Sequence, residues 1–224
     1  MDLVIWGAGG HGKVVLDVAC STRSFDRIVF LDDDSGKAGL TFCDCPIIGR
    51  PEELRHLSGT VFIVAVGDNR ARARCFGRAQ DQGLLPATLV HSTAVVSPSA
   101  DIGAGTVIMP GVIVNAGSAI GENCIVNSGT IVEHDCHIGA HVHLSPRVVL
   151  GGRVAVGRFA HVGIGATVLP AAIVGEESIV GAGAVVLKEA PARGTVVGVP
   201  ARSLSYQRNS RFEGRDHAPY ECPA

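Results

Sequence analysis

One short run in this chain carries the residue types needed for proton transfer. Glu133-His134-Asp135-Cys136 sets an imidazole between two carboxylates. Imidazole titrates near neutrality, about 6.5 when unperturbed, so it can take a proton from an attacking amine. A carboxylate beside it can fix the tautomer and stabilise the imidazolium that forms. Amide formation from a thioester needs both services. Asp135 and Glu133 flank the ring, and the sequence alone does not choose between them. A second run, Gly7-Ala8-Gly9-Gly10-His11-Gly12, is a glycine-rich turn of the kind that opens nucleotide-binding units. A third group is the histidines His134, His137, His141, His143 and His161. His143 and His161 stand 18 residues apart, and such a column could hold zinc between chains.

The elements that must position these groups are legible as periods. Stepping by six from Val90 to Val186 meets 17 residues, and every one is Val, Ile or Leu. Two places before each stands a small or β-branched residue, from Thr88 to Ala184. A period of six suits neither a helix nor a flat strand. It suits a short strand followed by a tight corner, repeated on three sides, so that 18 residues make one coil. Glycine follows the inward residue once per coil, at Gly103, Gly121, Gly139, Gly157 and Gly175. These glycines are expected at corners with positive φ. The frame predicts a triangular parallel β-helix with no inserted loop. Within it His134 points outward at a corner, and the residue one coil above is Gly152. The histidine is therefore expected to face a gap fit for an acyl thioester, with a backbone N–H near its carbonyl oxygen.

The first part of the chain reads differently. Leu3–Trp6 is a strand, followed by the glycine turn and a helical stretch from Lys13. Arg27–Leu31 is a second strand ending on Asp32-Asp33-Asp34. Val61–Val66 is a third, followed by Gly67-Asp68-Asn69 and a helix near Arg70–Gln82. That order is the order of a small α/β nucleotide-binding unit. The expected division is 1–86 for this Rossmann-like unit, 87–204 for the β-helix and 205–224 for a mobile polar tail.

The chain is similar to the sialic-acid O-acetyltransferase-like branch of the hexapeptide-repeat sugar acyltransferases, over about residues 3–204. It most resembles bacterial UDP-4-amino-sugar N-acetyltransferases of the bacillosamine type and GDP-perosamine N-acetyltransferases. The matching residues are the glycine turn, Phe30-Leu31-Asp32-Asp33, Ala65-Val66-Gly67, Glu133-His134-Asp135-Cys136 and Gly198-Val199-Pro200-Ala201-Arg202. The resemblance implies a left-handed coil and a homotrimer with active sites between chains. It implies acetyl-CoA as co-substrate and a nucleotide-linked amino sugar as acceptor, with no metal. By the same resemblance His134 is the base and Asp135 raises its basicity, one methylene shorter than the glutamate of the bacillosamine enzymes. Gly9, Gly10 and His11 would meet the phosphates, Asp32 and Asp33 the base or ribose, and Gly67 the same cleft. His143, Gly152, Ile164 and Ala182 would contact coenzyme A, and Arg202 a phosphate of it. O-acetylation of a sugar is the near alternative. A zinc-dependent hydratase on the same prism is the distant one.

Composition excludes other classes. The formal charge is -2, and no basic stripe suggests nucleic acid. No apolar run is long enough to cross a bilayer. Seven cysteines without zinc spacing, behind an acidic start, are expected to be reduced thiols of a cytoplasmic protein.

Overall fold

A computed structural model describes residues 1–49 and 59–204; the tail expected at 205–224 lies outside the described residues. In the N-terminal unit β1 (Asp2–Trp6), α1 (Gly10–Thr22), β2 (Arg27–Leu31) and the hairpin β3 (Thr41–Phe42) and β4 (Cys45–Pro46) come first. β5 (Thr60–Val64), α2 (Asn69–Asp81) and β6 (Leu85–Pro86) follow. The parallel sheet has the order β2-β1-β5-β6. Its central strands are apolar on both sides because both faces are covered. Leu3, Ile5 and Phe30 pack with Val15, Val18 and Ala19 of α1, while Val4, Trp6 and Phe62 pack with Phe76 and Ala79 of α2. The first of these cores continues through Leu89, Val107 and Ile125 into the second half of the chain, so the two units share apolar packing.

The second half is a parallel β-solenoid with three faces. The first face runs from Leu89–Val90 to Thr195–Val197, the second from Val95–Val96 to Val185–Val186, and the third from Asp101–Ile102 to Glu189–Ala190. Strand partners are 18 residues apart, as in Ile125↔His143, Ile131↔Val149 and Ala119↔His137. The second residue of each strand points inward. From Ile108 to Val186 these side chains are almost wholly buried, as are the small residues two places earlier. Each buried Val, Ile or Leu contributes about 1.5–3 kcal/mol. After Val186 the step shortens, and Ile173 pairs with Glu189 and Ile179 with Thr195.

The corners correct one expectation. Gly121, Gly139 and Gly157 do not have positive φ. They are needed because the next coil passes too close: a Cβ on Gly139 would lie 2.6 Å from the Arg158 nitrogen, and one on Gly157 would lie 2.4 Å from that of Glu176. Positive φ falls two residues later in each corner, at Gly105, Gly117, Asn123, Asp135, His141 and Phe159 among others.

Gly139→Ala is expected to cost about 1–3 kcal/mol, since backbone must move to admit the methyl. Gly77→Ala, inside α2 with open space around it, should instead add about 0.5–1 kcal/mol. Urea denaturation checks both signs, and equal effects would contradict the close-approach account.

Candidate active site

His134 and Asp135 occupy the corner between the second and third faces. Both are exposed, and His134 Nδ1 lies 2.8 Å from Asp135 Oδ2. Asp135 adopts φ 59°, the left-handed value that Gly117 takes one coil below. That conformation costs roughly 1–2 kcal/mol outside glycine, and it turns the carboxylate back against the ring. A Cβ on Gly117 would come within 2.6 Å of Asp135 Oδ1. One coil above, a Cβ on Gly152 would stand 2.5 Å from His134 Nε2. The space directly above the histidine is taken by the imidazole itself, whose Nε2 edge lies against Gly152 while the side chain stays exposed. The two glycines make room for the pair from either side.

The main chain of the corner is fixed. Arg153 N–H donates to the His134 carbonyl, and Ser118 Oγ–H donates to the Glu133 carbonyl. Glu133 makes no side-chain bond to the ring among the described residues, whereas Asp135 does. With the carboxylate on Nδ1, the ring proton is held there and Nε2 carries the free lone pair. Cys136 points inward and is buried.

The positions matched to coenzyme A divide between two places. His143 points outward on the first face, and Ile164 and Ala182 stand at the corner between the first and second faces. These three line a groove of about 430 Å³ with Asn127, Ser145 and His161. Gly152 is not in that groove; it belongs to the His134 corner. The second face separates the two places, so one chain does not bring the base to the groove. Arg202 is exposed on a final antiparallel strand, its Nη1 donating to the Ala201 carbonyl.

The rings of His143 and His161 lie one above the other, centroids 4.8 Å apart and tilted by 54°. Burial, then His161, Arg72 and His11, push His143 down to about 3, so it is neutral at physiological pH. Asn127 Nδ2 is 3.4 Å from its Nε2, and its buried Nδ1 lacks a partner. His161 Nε2 lies 3.1 Å from Ser145 Oγ. No group of three His, Cys, Asp or Glu side chains converges as metal ligands among the described residues.

In the glycine turn, a Cβ on Gly12 would lie 2.2 Å from the Gly7 carbonyl oxygen, and Gly7 itself has φ 121°. Gly9, Gly10 and Gly67 have nothing above them within 4 Å. Gly9 caps α1, and the helix begins at Gly10, earlier than its apolar spacing predicts. His11 is largely buried; burial, then Arg72, lowers it to about 4, and its Nε2 is unpartnered. Asp32 is committed to the turn, accepting from Ala8 N–H, Asp34 N–H and Lys37 Nζ. Burial pushes its carboxyl up, but those bonds outweigh burial and hold it below the usual carboxylate range. Asp33 is the exposed acid of the two, 3.5 Å from Arg78 Nη1.

Sequence reasoning missed Arg72, which is 1% exposed where α2 meets the prism. The signal was present: Arg72, Cys75, Phe76 and Ala79 share the buried stripe of the helix. A charge on that stripe needs buried partners.

Two family models match. The PglD N-terminal domain covers residues 2–79, and the bacterial transferase hexapeptide covers 117–152. The curated UDP-N-acetylbacillosamine N-acetyltransferase of Bacillus subtilis is 43% identical over 111 residues, 47% of this chain. That match spans about half the length of the Bacillus protein, at 50%. The acetyltransferase domain of PglB from Neisseria gonorrhoeae, solved with acetyl coenzyme A, is 40% identical with a TM-score of 0.87; the match covers 91% of this chain and 98% of that one. PerB from Caulobacter crescentus, solved with CoA and GDP-perosamine, is 38% identical with a TM-score of 0.85, over 91% and 97% of the two chains. On this likeness, and on a coil that carries its one carboxylate-paired exposed imidazole at a corner, the chain belongs to the hexapeptide-repeat, acetyl-CoA-dependent sugar N-acetyltransferases with a PglD-type N-terminal domain.

Proposed function

We propose that the protein transfers acetyl from acetyl-CoA to the 4-amino group of a nucleotide-linked amino-deoxy sugar, with a UDP-sugar favoured and GDP-perosamine the second candidate. The observation that carries this is the His134–Asp135 pair with Nε2 free for a proton. The neutral amine attacks the thioester carbonyl carbon, forming the C–N bond. Its proton passes to His134 Nε2, and Asp135 on Nδ1 stabilises the resulting imidazolium. The C–S bond then breaks, and the imidazolium returns a proton to the departing thiolate. The acceptor's nucleotide lies at Gly9, Gly10, His11, Asp33 and Gly67, and coenzyme A lies along the His143–Ile164–Ala182 groove. Asp32 lies there too and shapes the turn through its bonds to Ala8 N–H, Asp34 N–H and Lys37 Nζ.

The separation of base and groove supports a trimer. The outward column of the second face is Val95, Ile113, Ile131, Val149, Thr167 and Val185. The His134 corner borders this apolar face on one side, and the Ile164–Ala182 corner borders it on the other. Three copies that turn this face to a common axis set one chain's base against the next chain's groove. The protein works in the cytoplasm, where acetyl-CoA and nucleotide sugars meet, and its product feeds glycan assembly. O-acetylation is the second reading: the same base could deprotonate a hydroxyl, but a hydroxyl is the poorer nucleophile.

Acetyl-CoA turnover should be assayed against UDP-, GDP- and dTDP-linked 4-amino sugars and their hydroxyl counterparts. Acetylation of hydroxyl sugars alone would replace the N-acetyl reading. His134→Ala should lower kcat by at least ~100-fold. Asp135→Asn should lower it with folding intact, and Glu133→Gln should leave it close to wild type; equal loss from the two would assign the wrong carboxylate. In Gly152→Ala the added methyl displaces the imidazole, and a loss of roughly 100-fold is expected from misplacement alone.

Light scattering should give three times the chain mass of 23.1 kDa. Ile131→Glu should yield folded monomers without activity. An active wild-type monomer would overturn the shared site.

A further inference from the structure

We infer that Arg72 is a positioning residue that aims the Val66–Asp68 loop at the bound acceptor, which rests on the nucleotide-sugar reading above. Its guanidinium has five N–H groups, and the partners account for all of them. Nε donates to the Asn123 carbonyl at 3.0 Å. Nη1 donates to the carbonyls of Val66 and Gly67, both at 3.1 Å. Nη2 donates to Asn69 Oδ1 at 2.7 Å and to the His141 carbonyl at 2.8 Å. One planar fork thus ties the loop after β5 to two successive coils of the prism, beside His143.

A joint between the two units does not by itself require this arrangement. Phe76 already meets His141 edge-on, His141 stacks on Phe159 at 4.8 Å, and Asn69 Nδ2 donates to the Phe159 and Ala160 carbonyls. Arg70 also pairs with Glu177. A guanidinium buried with no ion-pair partner among the described residues is costly to desolvate, and apolar residues would hold the same surfaces more cheaply. What the fork adds is orientation. The Val66–Gly67 and Gly67–Asp68 bonds are trans, so each N–H points away from the preceding carbonyl. Both carbonyls are drawn toward Arg72, so the Gly67 and Asp68 N–H groups face the other way. Neither N–H has a protein acceptor among the described residues, and a Cβ on Gly67 would meet nothing within 4 Å. Two aligned donors beside an open glycine suit oxygen atoms of the nucleotide portion of the acceptor. Lysine cannot replace the fork, because a single ammonium lacks its planar set of five donors.

The test measures both KM values for Arg72→Lys and Arg72→Met, with Arg70→Ala as the control at the same joint. Circular dichroism and light scattering establish that each variant is folded and assembled. KM for the nucleotide amino sugar should rise roughly 10- to 100-fold, the range expected when aligned hydrogen bonds are lost. KM for acetyl-CoA should stay within about twofold, and Arg70→Ala should change neither, since exposed ion pairs contribute little. An unchanged acceptor KM in a folded Arg72 variant, or an equal rise in both KM values, overturns the proposal. Should both variants unfold, Asn69→Ser removes the Oδ1 acceptor that steadies Nη2; the acceptor KM should then rise selectively by a smaller factor, and no rise overturns the proposal. Wild-type protein that acetylates no nucleotide amino sugar sinks the functional reading instead, which keeps the two failures apart.

Discussion

The stacking of residue i on residue i+18 is the constraint on which the rest depends. It is set by inward Val, Ile and Leu side chains that fill the prism and by parallel ladders that accept no slip. Once it holds, side chains on one coil are given neighbours by arithmetic. His134 is placed against Gly152, Asp135 against Gly117, and His143 against His161. A one-residue insertion between the two members of a pair would turn the following inward side chains outward and separate that pair. The glycines that matter to chemistry therefore act through side chains 18 residues away. Gly152 lets the tip of an imidazole close on the coil, and Gly117 makes room for the carboxylate beside it.

The seam between the nucleotide unit and the prism is polar at its centre and apolar around it. Arg72 remains charged at neutral pH although burial lowers it to about 10. His11, His141 and His143 lie near enough to feel that charge, and burial together with Arg72 keeps them neutral. Neutral imidazoles suit this place, because a second buried cation would add its own desolvation cost to that of Arg72. The seam thus divides labour with the His134 corner. His134 stands exposed with a carboxylate on its ring, while the seam histidines are held neutral.

Much of this was legible in the sequence because repeats write geometry directly. The six-residue step located the inward positions, and the outward, cornered His134 followed from it. The prism's extent to Val186 could be read in the same way, since no loop breaks the frame. What escaped were effects of distance rather than of pattern. Gly121, Gly139 and Gly157 looked like positive-φ glycines, yet their reason is the nearness of the next coil, which no single-coil pattern encodes. The space above His134 looked empty because Gly152 has no side chain, and only coordinates show the imidazole lying there. Asp32 was read only as a ligand contact; its bonds to Ala8 N–H, Asp34 N–H and Lys37 Nζ depend on the folded turn. Arg72 was visible as a charge on a buried stripe but was not read, because its partners are carbonyls from parts of the chain 51 and 69 residues away.

The central claim is that one chain's His134 meets the reactants in a groove supplied by another. A crystal structure of the assembled protein with a coenzyme A thioether analogue and a nucleotide 4-amino sugar tests it most directly. The account expects His134 Nε2 within about 2.6–3.2 Å of the sugar's amino nitrogen, with the sulfur arriving along the neighbouring chain's His143–Ile164 groove. A sugar nitrogen lying far from every His134 ring, or a complete site formed within a single chain, would contradict it.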